Sequence, residues 1–131
     1  MAFFATLCTR VPTLLCIDDQ SYAIAGRAAR LRTHGYAVHV AAMDRAVDVF
    51  VNNPVDAVLL DCHMEQVEEI ATILREIRPT LPIIAMASYC ALPCRYRHLV
   101  TACIGKRENP RLMLDELELV LRTQPPDQQA A

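Results

Sequence analysis

The chain has 131 residues, 53% of them hydrophobic and 21% charged, and a formal net charge of −2. A chain of this length suits one domain and buries enough surface to fold without disulfides or a structural metal. The slightly acidic balance excludes the electrostatic footprint of a nucleic-acid binder, and no apolar run approaches the ~18 residues of a membrane span.

The opening Ala2-Phe3-Phe4-Ala5-Thr6-Leu7-Cys8 is apolar but short and has no basic region before it, which argues against a signal peptide. Six cysteines are too sparse for a disulfide scaffold. Cys16 and Cys103 fall inside apolar strand-like runs, so buried thiols in a reducing, cytoplasmic setting are the simpler reading.

Strand-like runs then alternate with helical ones. Thr13-Leu14-Leu15-Cys16-Ile17 is the first strand and ends at Asp18-Asp19. Residues 21–34 take helical spacing, with Ala23, Ile24, Ala28 and Leu31 on the apolar side and charge opposite. Gly35 then suits the left-handed C-terminal position. Residues 36–41 alternate as a second strand, with Val38 and Val40 facing one way. A second helix is predicted from Asp44, as N-cap, to Asn52, where Pro54 stops it.

The third, central strand is Asp56-Ala57-Val58-Leu59-Leu60, ending at Asp61. A helix over 65–78 carries Val67, Ile70, Leu74 and Ile77 inward. Pro82-Ile83-Ile84-Ala85-Met86 is the fourth strand, and a short helix is expected near 93–99. Ala102-Cys103-Ile104-Gly105 is the fifth strand. Asn109-Pro110 reads as an N-cap and first-turn proline opening a helix through Leu121. Residues 123–131 read as a disordered tail and 1–11 as an N-terminal extension.

Five such β-then-α units predict an α/β, doubly wound parallel sheet with helices on both faces, because parallel strands need right-handed crossovers. Ligands of these sheets bind beyond the carboxyl ends of the strands. Three strands end in charge there: Asp18-Asp19, Asp61 and, after the fifth strand, Lys106. Clustered carboxylates repel and call for protons or a cation. A hard divalent ion such as Mg²⁺ suits an oxygen-rich site of this kind. Lys106 adds a compact positive charge suited to a phosphoryl group or to Asp61. Singly, each element is ordinary: an N-cap pair, a turn aspartate, a solvated lysine. Their joint placement is not.

Leu15-Cys16-Ile17-Asp18-Asp19-Gln20, Val58-Leu59-Leu60-Asp61-Cys62-His63-Met64, Pro82-Ile83-Ile84-Ala85-Met86 and Lys106 together resemble the response-regulator receiver domain over residues 12–122. The resemblance implies a flavodoxin-like sheet of order 2-1-3-4-5. It implies that Asp61 accepts phosphate from a histidine kinase, a phosphotransfer protein or a small phosphodonor. Mg²⁺ would be held by Asp18, Asp19, Asp61 and the backbone carbonyl of His63, and Lys106 would contact the phosphoryl oxygens. The implied protein is a stand-alone signalling module that acts through contacts with a downstream protein, not through nucleic acid or membrane.

The sequence departs from the family where phosphorylation is sensed. Ala87 stands where the family carries Thr or Ser, and Ser88 is one residue late. Cys103 replaces the aromatic of the fifth strand, Arg107 the proline after the lysine, and Glu65 the proline after Met64. Two other readings follow. One is a degenerate receiver that binds its partner regardless of phosphate. The other is a Mg²⁺-dependent phosphatase-type enzyme, disfavoured because no lid segment encloses a substrate. Cys90, Cys94 and His98 fall four apart, but Pro93 interrupts a common helical face and the spacing matches no familiar zinc motif.

Overall fold

The computed structural model describes residues 11–18, 21–62, 66–87, 97–105 and 109–123, with the side chains of 21–24 left aside. Their strands are β1 (Thr13–Ile17), β2 (Ala37–Ala41), β3 (Ala57–Asp61), β4 (Ile83–Ala87) and β5 (Ala102–Gly105). Their helices are α1 (Ser21–Thr33), α2 (Ala46–Asn52), α3 (Val67–Ile77) and α4 (Pro110–Arg122), with a single 3₁₀ turn over Met43–Arg45. The five strands form one parallel sheet of order β2-β1-β3-β4-β5: the alternating pattern predicted the parallel sheet, and the resemblance implied its flavodoxin-like order.

Alternation along the strands divides the core into two. Leu15, Ile17, Val58, Leu60 and Ile83 face Phe50 of α2 and Val67, Ile70 and Leu74 of α3. Leu14, Cys16, Leu59, Ile84 and Ile104 face Leu31 of α1 and Met113, Leu117 and Val120 of α4. β1 and β3 are buried throughout, as continuous apolar runs inside a parallel sheet should be. No helix among the described residues is long and apolar enough to cross a membrane.

Local chemistry accounts for several boundaries. Gly35 has φ +92°, the left-handed conformation that ends α1. Asn109 caps α4, its side-chain oxygen accepting from Arg111 N at 2.9 Å, with Pro110 next. The predicted Asp44 N-cap is incorrect. Asp44 lies inside the 3₁₀ turn that precedes α2, and no side chain caps either element. Ile77 is also displaced from its predicted role: it is the last residue of α3 and is 47% exposed, whereas Leu74 one turn earlier is fully buried. Asp56 lies just before β3 and bonds to β1. The short helix expected near 93–99 and the two terminal segments lie largely or wholly outside the described residues.

β2 is an edge strand. Its Ala37 N donates to Pro12 O at 2.9 Å, so residues of the opposite parity direct their backbone groups away from β1. Arg32, in the last turn of α1, donates from Nη2 to one of these outward carbonyls, Val38 O, at 2.9 Å.

Candidate functional site

Two carboxylates meet at the carboxyl end of the sheet. β1 and β3 are in register through Ile17↔Leu60, so the next residues, Asp18 and Asp61, are adjacent on neighbouring strands. Neighbouring backbones are roughly 5 Å apart. Asp18 extends the β1–β2 pairing by donating its N–H to Ala41 O at 3.1 Å, and Asp61 continues the β3–β4 register opposite Met86. Strand alternation puts both on the face of Cys16 and Leu59, the side covered by α1 and α4. Asp18 is 3% exposed and Asp61 is fully buried, its Oδ2 shielded from solvent.

Burial of two neighbouring carboxylates requires compensation. Unit charges one strand spacing apart repel by about 3 kcal/mol at an effective dielectric of 20, and each carboxylate also loses water. One compensating group is Arg27, whose Nη1 lies 3.4 Å from Asp18 Oδ2. The Asp18 side chain is wholly buried and that of Arg27 is 15% exposed, so this is not a solvent-screened surface pair.

Arg27 was missed by sequence reasoning, which assigned charge in the first helix to the outward face. Ala28 and Leu31 define the inward stripe of α1, and both are fully buried. Arg27 lies beside that stripe, four residues before Leu31, and its long stem carries the guanidinium up to the strand end. The i, i+4 relation to Leu31 was the available signal.

Of the predicted site residues, Asp18 and Asp61 are brought together, whereas Asp19, His63 and Lys106 lie outside the described residues. Lys106 directly follows Gly105, which pairs with Ala87 at the end of β4. Ala87 is partly exposed and carries no hydroxyl. Cys103 pairs with Ala85 and is half-buried, less enclosed than its apolar run suggested. Cys16, Cys62 and Cys103 are thiols, not disulfide partners. Burial pushes the Cys16 thiol up to about 12, outweighing the opposing pull of Arg27 and Arg32. His98 is exposed, while Cys90 and Cys94 lie outside the described residues. No group of three metal-ligating side chains occurs among the described residues. The two carboxylates that are described do fit Mg²⁺, which commonly takes one or two carboxylates with water and phosphate oxygens.

No family model matches the chain, and no curated protein is similar to it in sequence. Solved structures are similar in fold. A CheY-like response regulator receiver domain protein from Methanospirillum hungatei matches with a TM-score of 0.78 at 20% identity, covering 92% of this chain and 98% of that one. TrrA, a response regulator from Thermotoga maritima in complex with Mg²⁺–BeF, matches with a TM-score of 0.72 at 20% identity over 84% of this chain and 99% of that one. A structure of the histidine kinase ThkA in complex with TrrA matches with a TM-score of 0.76 at 20% identity, over 85% and 99%. The fold of this chain is therefore that of CheY-like receiver domains.

Proposed function

We propose that residues 12–122 form a receiver module that accepts a phosphoryl group on Asp61 in a Mg²⁺-dependent phosphorelay and signals through protein contacts in the cytoplasm. One observation carries this reading: two buried aspartates end adjacent parallel strands at the functional end of a receiver-type sheet. An Asp61 carboxylate oxygen attacks phosphorus, and the bond to the donor breaks. An aspartyl phosphate forms, and the leaving imidazole or carboxylate departs with the bonding pair. Asp18, Asp19, Asp61 and the carbonyl of His63 would hold Mg²⁺, which when bound neutralises charge on the transferring group. Lys106 would pair with the phosphoryl oxygens. The phosphoryl source would be a histidine kinase or a phosphotransfer protein. The neighbouring regulator solved with a histidine kinase and with Mg²⁺–BeF supports both choices.

Acetyl phosphate with Mg²⁺ is expected to add one phosphoryl mass to the intact protein, and Asp61→Asn to abolish it. Equal labelling of the variant excludes Asp61 as acceptor.

Ala87 favours a second reading. It ends β4 level with Gly105 and offers no hydroxyl to an aspartyl phosphate, while Cys103 on β5 is too small to act as the family's aromatic. A receiver lacking both parts would bind its partner with or without phosphate. A phosphoryl group shifts a two-state equilibrium only by its differential contacts with the two states. Partner affinity unchanged by beryllofluoride would support this version.

A further inference from the structure

We infer that Arg27 is a resident counterion of the acidic site, which must release Asp18 before a divalent cation can use that carboxylate. This rests on the reading of Asp18 and Asp61 as part of a Mg²⁺ site. The guanidinium reaches the pair from α1, not from a strand end, and its Nη1 stands 3.4 Å from Asp18 Oδ2. The Asp18 side chain has no solvent exposure, so Arg27 occupies a direction from which water or a metal's hydration shell would otherwise approach. A buried carboxylate loses much when its cation leaves, and an arginine in the site stays charged at every working pH.

The consequence is competition. Without metal, Arg27 offsets part of the repulsion between Asp18 and Asp61 and keeps the Asp18 carboxylate paired. With metal, the same charge repels the incoming cation and must be swung aside. Arg27 thereby sets the Mg²⁺ concentration at which the site fills, and it is a positioning residue acting through Asp18.

Calorimetric Mg²⁺ titrations of the wild type, Arg27→Gln, Arg27→Lys and Asp61→Asn test the inference, with circular dichroism checking the fold of each. Removing a partly buried like charge from beside the metal should tighten binding roughly three- to tenfold in Arg27→Gln. Arg27→Lys keeps the charge and should stay near the wild type, and it serves as the folded comparison if Arg27→Gln is unstable: a lysine variant binding as tightly as expected of glutamine overturns the role of charge. Equal affinity in the wild type and Arg27→Gln, with binding lost in Asp61→Asn, overturns the role of Arg27 and leaves the metal site standing. Absence of Mg²⁺ binding in both the wild type and Arg27→Gln overturns the inference together with the metal-site reading.

Discussion

Asp56 and Asp61 bracket the same strand, and both are buried, yet their surroundings differ in kind. At the entry to β3, Asp56 Oδ2 accepts from Thr13 N at 2.7 Å while Asp56 N donates to Thr13 O at the same distance. Arg78 adds charge there. Its Nη1 donates to Val55 O at 2.6 Å and its guanidinium lies 5.0 Å over the Phe50 ring. Burial pushes the Arg78 guanidinium down from its ordinary value, and Asp56 pulls it back. Arg75 ties the same end together by donating to the carbonyls of Pro79, Leu81 and Leu99. At the exit of β3, by contrast, a carboxylate stands next to another carboxylate. One end of the strand matches a single buried carboxylate with donors; the other sets two buried carboxylates side by side, with Arg27 beside Asp18. The first fastens the fold, and the second is the carboxylate pair on which the proposed Mg²⁺ and phosphoryl chemistry rests.

The sharpest test of this contrast is stability. Asp56→Ala strips a charged acceptor from the buried Thr13 N–H and leaves Arg78 without its carboxylate, and should cost roughly 2–4 kcal/mol in urea denaturation. Asp61→Asn removes like-charge crowding and should stabilise the protein by about 1 kcal/mol. Equal destabilisation by both substitutions would erase the difference between the two ends.

A smaller effect separates burial from charge. Cys16 lies mid-strand, two residues below Asp18 and on the same face, and burial dominates its titration. Its thiol is raised from 9.0 to about 12, so the folded form keeps a proton that the unfolded chain loses. Stability from this group is fully present below pH 9 and falls by about 1.4 kcal/mol per pH unit as pH rises toward 12. Cys16→Ala should remove that slope, so its disadvantage at pH 8 shrinks or reverses by pH 10–11 in the same unfolding assay. An unchanged slope would mean that the thiol is reached by solvent in the folded state.

The entry end and the exit end were not equally legible in the sequence. The strands followed from continuous apolar runs such as Leu14–Ile17 and Val58–Leu60, the pattern of strands buried on both faces, whereas their order came from the resemblance to receiver domains. Asp18 and Asp61 stood out as charges interrupting those runs where α/β sheets open. The role of Asp56 was hidden, since a carboxylate that bonds a backbone N–H 43 residues away carries no local signature. Arg27 was hidden for a related reason. Helical periodicity sorts residues by polarity, and a long cationic side chain can lie beside the inward stripe while delivering its charge to the rim. Ile77 failed in the opposite sense: it keeps the spacing of the buried Val67, Ile70 and Leu74, but as the last residue of the helix it is 47% exposed.

Arg32 has a consequence for how copies of this protein meet one another. An open strand edge is a template on which a second sheet can grow, and exposed valines such as Val40, 41% exposed on β2, favour that growth. Because Arg32 already occupies the outward carbonyl of Val38, an incoming strand must displace a charged donor before it can begin to pair. The last turn of a helix thus serves as a guard on the neighbouring edge, steering crowded molecules away from sheet-to-sheet aggregation without altering a residue of the strand itself.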